Sequence, residues 1–158
     1  MTNEQKKIFS LRISQSSRTE IVVISYEIIL NYIDSAKASF TEGNKDEMIK
    51  NLQNAKIFIN DLASNLDLKY SISYELLNLY RYSNKTILNC IMKQNVDGLA
   101  AVENIMNRLM ESFAEVAKLD DRGAAIKGSN QVYAGLTYGN NSKLNEVCYS
   151  FDKKGFLG

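Results

Sequence analysis

Residues 17–40 read SRTEIVVISYEIILNYIDSAKASF and predict the long α-helix around which the rest of this chain is organised. Ser17, followed three residues later by Glu20, has the spacing of a capping box and marks the helix start. One apolar stripe, with gaps that alternate four and three, consists of Val22, Tyr26, Ile29, Ile33, Ala36 and Phe40. Further apolar residues wrap most of the first half of this helix. A helix apolar on nearly all sides must be covered by its own chain or by another chain.

Composition bounds the class of protein. The chain has 158 residues, no proline and 45% apolar content, which is typical of one domain built from uninterrupted helices. Its 19 basic and 18 acidic residues give no electrostatic reason to expect nucleic acid or an anionic membrane. No apolar run is long enough to span a bilayer, and the start MTNEQKKIFS lacks a signal-peptide core, so a cytoplasmic location without membrane insertion is the default expectation.

Three further helices follow the first one. Gly43 suits the C-terminal cap of the first helix, and Asn44 with Glu47 opens the second. Ser71 is the predicted cap of the third helix. Asn95 with Asp97 opens the fourth. Their predicted core stripes are Met48, Leu52, Ala55, Ile59, Leu62 and Leu66; Leu76, Tyr80, Ser83, Ile87 and Cys90; and Leu99, Val102, Met106, Leu109, Phe113 and Val116. Four helices of similar length with short connections predict an all-α fold, an antiparallel up-down-up-down four-helix bundle in residues 17–119.

The two ends of the chain differ from this bundle. Residues 1–16 contain a short amphipathic segment whose apolar residues favour docking onto the over-apolar first helix rather than a frayed terminus. Residues 120–158 hold six of the eight glycines and lose helical periodicity, which predicts a flexible tail.

The residues argue against catalysis. Histidine is absent, which removes the commonest general base and metal ligand, and with them a histidine-containing di-iron site or haem attachment. Cys90 and Cys148 lack the spacing of a metal site and are expected to be free thiols. No glycine-rich phosphate loop precedes a helix. We therefore expect no metal, no cofactor and no enzymatic activity, but a protein that works by binding.

Several motifs in order resemble the flagellin export chaperones of the FliS family over about residues 10–119. They are Ser16-Ser17-x-x-Glu20, Ile24-Ser25-Tyr26-Glu27, Ala36 and Glu42-Gly43-Asn44, then Ala55, Phe58-Ile59, Leu62 and Leu66-Asp67, then Leu76, Leu79-Tyr80 and Tyr82. The family's proline after the serine is Arg18 here, and Phe113 stands where a tryptophan is usual. The resemblance implies a cytoplasmic chaperone that binds the disordered C-terminal segment of flagellin in hydrophobic grooves and escorts it to the flagellar export gate.

Helix-in-groove recognition would then use apolar and tyrosine side chains. The partner-binding surface predicted on this basis comprises Ile8, Phe9, Ile13, Val23, Tyr26, Leu30, Ile49, Phe58, Ile72, Tyr74 and Tyr80. In the empty state, Ile8, Phe9 and Ile13 are expected to lie near Val23 and Leu30, and the partner displaces them. Two alternatives remain: a non-catalytic homodimeric bundle that does not bind flagellin, and, ranked last because charge is balanced, a small RNA-binding bundle.

Overall fold

The structure is a computed structural model that describes residues 1–120, 123 and 125. The predicted tail, including Cys148, lies almost wholly outside these residues. Within them the chain is all-helical and contains no strand. The five helices are α1 (Asn3–Gln15), α2 (Arg18–Thr41), α3 (Lys45–Ser64), α4 (Ser71–Lys93) and α5 (Leu99–Lys118).

Local sequence sets both ends of α2. The Ser17 side chain accepts the backbone N–H of Glu20, and the Glu20 carboxylate accepts that of Ser17 at 2.6 Å, so the predicted capping box is confirmed. Gly43 follows the helix with a φ of 76°. The N–H of Gly43 bonds to the carbonyl of Phe40, and that of Asn44 to the carbonyl of Ser39, which is the Schellman pattern. These bonds satisfy carbonyls that the end of the helix would otherwise leave unpaired.

The predicted starts of the three later helices are confirmed only in part. Asn44 caps α3 through its side chain, as predicted. Ser71 is the first residue of α4 rather than its cap, since the cap position is Tyr70 and carries no side-chain bond. The prediction that Asn95 and Asp97 open the last helix is wrong. Their side chains bond to each other at 2.6 Å in the preceding turn, and α5 starts only after Gly98.

Helix α2 occupies the centre of the packing. It contacts α3 on one side and α5 on another, α4 packs between α3 and α5, and α1 lies on α2. Most of the predicted stripe residues are buried, including every member on α4. Val116 is an exception at 54% exposed. A strict seven-residue repeat drifts by about 20° per heptad around a straight helix, so by the last turn of α5 this position has rotated away from the core.

Contacts between helix ends indicate the relative directions of the chain. The Lys37 ammonium near the end of α2 bonds to the Glu103 carboxylate near the start of α5 at 2.6 Å. The ring of Tyr26, in the first half of α2, lies 5.8 Å from that of Phe113 in the last two turns of α5. Lys45 at the start of α3 similarly reaches Gln94 at the end of α4. In each pair, the beginning of one helix lies beside the end of the other.

Candidate functional site

Helix α1 covers one side of α2 through a narrow apolar stripe. Phe9 and Ile13, together with Met1, are partly buried against the core. No residue of α1 is fully buried, and Ile8 remains 57% exposed. Because burial of apolar surface is the main stabilising contribution to such contacts, a helix with no fully buried side chain is held only weakly. The contact of α1 with α2 is therefore shallow.

A charged contact fixes the C-terminal half of α1. Both terminal guanidinium nitrogens of Arg12 donate to the two carboxylate oxygens of Glu27 on α2, the longer bond at 2.9 Å. This hydrogen bonding raises the pKa of Arg12, partly offset by its desolvation. The guanidinium carbon also lies 5.7 Å from the centre of the Phe9 ring. Since both side chains of the ion pair are partly exposed, water and salt screen it, and it contributes orientation more than stability.

A cleft of about 410 Å³ lies where the end of α1, the start of α2 and the end of α5 meet. Its apolar wall includes Val23, Ile24, Ala114 and Ala117, and its charged lining residues are Arg12, Glu20 and Lys118. Beside the cleft, the Thr19 hydroxyl donates to the Asp120 carboxylate at 2.6 Å, joining α2 to the end of α5. The two alanines leave space that larger side chains would have filled. The cleft can therefore accept an apolar side chain of a partner, with a polar group of the same partner against the charged lining residues.

Besides Ile8, eight of the eleven predicted partner-binding residues lie outside the buried core, on α1 and α2, on α3, and at the start of α4. Phe9 and Ile13 on α1, and Val23 and Leu30 on α2, are all half-buried, and the two helices are in contact. Ile49 and Phe58 are half-buried on α3, with the Phe58 ring 6.1 Å from that of Tyr32. Ile72 and Tyr74 lie at the start of α4 and are more than half exposed. The predicted residues thus form several separate surfaces.

Tyr26 and Tyr80 belong to the core. They are 0% and 1% exposed, and their hydroxyl groups are hydrogen-bonded to each other. Burial is the main cause of a raised pKa at both phenols, so both stay neutral and able to share the proton of this bond. A partner cannot reach either ring while α2 and α4 remain packed as they are. Their role in this state is to join two helices through a satisfied polar contact.

Sequence reasoning missed two parts of this region. One is the contact of Arg12 with Glu27, because nothing in the sequence specifies which of many acidic residues an exposed arginine meets. The other is the contribution of Ala114 and Ala117 to the cleft. Two small residues on one face of a predicted helix were an available signal, since they leave room for a neighbouring chain.

In the described part of the chain, side chains that could bind a metal ion are not clustered, and Cys90 is buried. Within residues 1–120, 123 and 125, no group of three His, Cys, Asp or Glu side chains could hold a metal ion. Cys90 is a buried free thiol that donates to the carbonyl of Asp97 at 3.0 Å, and burial raises its pKa. Among the helices described, none combines the length and apolar character needed to cross a bilayer.

These features define an all-helical protein whose distinguishing site is an apolar helix surface under a shallowly docked helix. The family model described as "Flagellar protein FliS" matches residues 1–120 of the 158. The chain belongs to the FliS family, which is a family of flagellar export chaperones and not of catalysts. The resemblance noted from the sequence motifs is thereby confirmed. No curated protein matches the chain.

Proposed function

We propose that this protein is a cytoplasmic chaperone that binds the disordered C-terminal segment of flagellin, keeps it from polymerising and delivers it to the flagellar export gate. Family membership supports a role in flagellar assembly. The observation that carries the binding mechanism is that α1 lies on the apolar face of α2 without a single fully buried side chain. A cover held this weakly can be exchanged for another helix that buries more surface.

The proposed framework is an antiparallel up-down-up-down bundle formed by α2, α3, α4 and α5, with α1 as a separate covering helix. The contacts of Lys37 with Glu103 and of Lys45 with Gln94 support alternating directions. In such a bundle each pair of neighbouring helices presents a groove, and the partner segment, which is disordered when free, can form helices along more than one groove.

Binding begins, in this proposal, at the surface that α1 covers. The partner replaces the partly buried Phe9 and Ile13, with Val23 and Leu30 as its predicted contacts on α2, and an apolar side chain enters the adjoining cleft. Ile49, Phe58, Ile72 and Tyr74 remain predicted contacts for the continuation of the segment. Tyr26 and Tyr80 keep their packing role, because exposing their paired hydroxyl groups would cost a buried hydrogen bond.

The test is a calorimetric titration of the full chain with a peptide of the host flagellin's C-terminal segment, followed by circular dichroism of the mixture. A peptide of the same composition in scrambled order is the control. We expect saturable binding to the native-order peptide and a helical signal greater than the sum of the separate spectra, because the partner becomes helical when it binds.

The same samples address the alternative of a non-catalytic homodimer. Light scattering across a concentration series reports self-association directly. A stable dimer that fails to bind either peptide at high micromolar concentration would contradict the chaperone proposal and favour self-association.

A further inference from the structure

The outer face of α4 carries a second stripe, on the side of the helix away from the core. Its members are spaced four and three residues apart, and all six are exposed: Tyr74, Asn78, Arg81, Lys85, Leu88 and Met92. We call these residues the outer stripe. The spacing of its members places them in one line along the helix, as in a helix-packing seam. Its apolar ends are well exposed, with Tyr74 at 55% and Met92 at 73%.

The centre of the outer stripe is positively charged. Arg81 and Lys85 lie one helical turn apart on the same face, and neither takes part in any of the ion pairs found within residues 1–120. The acidic residue on α4 itself is Glu75, which lies on a different face. Like charges at this spacing repel and slightly destabilise a helix. Among the described residues, the stripe therefore combines unpaired positive charge with exposed apolar area.

The outer stripe also faces away from α1. Tyr26 on α2 and Tyr80 on α4 meet in the core, so the outer faces of these two helices lie on opposite sides of the packed helices. Since α1 lies on α2, it does not cover the outer stripe, which is exposed in the same structure in which α1 is docked. A partner on this stripe can bind without displacing α1.

We propose that the outer stripe binds an acidic amphipathic helix of a second protein. This site shares Tyr74 with the predicted flagellin surface, whereas the other five members of the stripe lie outside that surface. The partner helix carries apolar residues at both ends of one face and acidic residues at its centre, opposite Arg81 and Lys85. Tyr74 and Met92 are 18 residues apart, about 27 Å along the helix at 1.5 Å per residue, so a partner helix of about 20 residues covers the stripe. Charge complementarity selects this partner, and the apolar ends supply contact area.

The probe is a designed helical peptide of about 20 residues with leucines at both ends of one face and glutamates at the centre of that face. The matched control is a second peptide with lysines in place of the glutamates. Both are titrated against the full chain by fluorescence anisotropy at low and high salt. We expect the glutamate peptide to bind and the lysine peptide to bind at least about tenfold more weakly, with the difference shrinking at high salt.

The variant Arg81→Glu/Lys85→Glu tests the assignment. Its matched control is Lys7→Glu/Arg108→Glu, which changes net charge equally at two exposed residues on α1 and α5. We expect the stripe variant to lose at least about tenfold in affinity for the glutamate peptide and to gain affinity for the lysine peptide, while the control keeps the wild-type preference. Because the charge swap predicts a gain as well as a loss, damage to the fold cannot imitate it.

Equal binding of the two peptides, no binding of either, or equal effects of the stripe and control variants would overturn this proposal. The flagellin titration of the stripe variant keeps the two proposals separate. Unchanged flagellin binding with lost binding of the glutamate peptide supports a second partner. If reversing these charges weakens flagellin binding as strongly as peptide binding, the stripe is part of the flagellin site and the second-partner proposal fails.

Discussion

Replacing the two apolar residues that hold α1 on α2, in the variant Phe9→Ala/Ile13→Ala, tests whether α1 competes with the partner. Full burial of such a side chain is worth about 1.5–3 kcal/mol, and because both are only partly buried, each contributes about 1 kcal/mol to docking. The double variant therefore weakens docking by about 2 kcal/mol, which corresponds to a factor of about 30. If α1 must leave before flagellin binds, the apparent dissociation constant falls by up to this factor.

Two assays on the same samples check this expectation. Hydrogen exchange should show faster exchange of the α1 amide groups in the variant, because the docked helix protects them. Calorimetry with the flagellin C-terminal peptide should show tighter binding. The matched control is Leu11→Ala, on the same helix but 39% exposed, not packed on the core and outside the predicted partner-binding surface, which should change neither measurement.

The two readouts together decide the outcome. Faster exchange at α1 accompanied by weaker flagellin binding would refute the competition mechanism and show that Phe9 and Ile13 are themselves part of the binding surface. Faster exchange with no change in affinity would mean that flagellin binds elsewhere on the protein.

Three further predictions concern the packed helices. Changing either Tyr26 or Tyr80 to Phe leaves one buried hydroxyl without its partner and should lower the free energy of unfolding, measured in urea, by about 1–3 kcal/mol. The double change should lower it by clearly less than the sum of the two single changes, and additive losses would contradict the shared bond. Burial raises the pKa of both phenols above the unfolded value of 10.0. The stability that the neutral phenols contribute is therefore fully present below pH 10.0 and is lost as the pH rises above it. Thermal unfolding should show this decline, and a decline that stays the same when both tyrosines are phenylalanine would contradict the assignment. Gly98 has a φ of 86°, and a Cβ there would lie 3.0 Å from the Thr86 side chain, whereas Gly43 has a φ of 76° and open space around it. Gly98→Ala should therefore lower the free energy of unfolding by more than the about 1–2 kcal/mol expected for Gly43→Ala. Equal losses of the two variants in thermal unfolding would count against the contact with Thr86.

Part of the candidate site could be predicted from sequence because the excess of apolar residues is visible there. The first half of residues 17–40 has more apolar side chains than one core stripe needs, which correctly indicated a covered surface on that helix. The same reasoning placed Tyr26 and Tyr80 on a partner surface, although both are core residues. A tyrosine satisfies its hydroxyl group equally well at a wet surface or through a buried partner, so its sequence position alone does not distinguish the two.

The sequence by itself determined the helices and several of their ends, because helix formation and capping depend on residues three to five positions apart. Ser17 and Asn44 cap helices, and Gly43 ends one, through bonds confined to such short stretches. The tertiary structure alone decided which faces meet. The bond between Tyr26 and Tyr80 joins residues 54 positions apart, and the pair of Arg12 with Glu27 joins two helices. These contacts depend on how each helix is rotated and placed against its neighbours, which the packing of the whole core sets and no local pattern encodes.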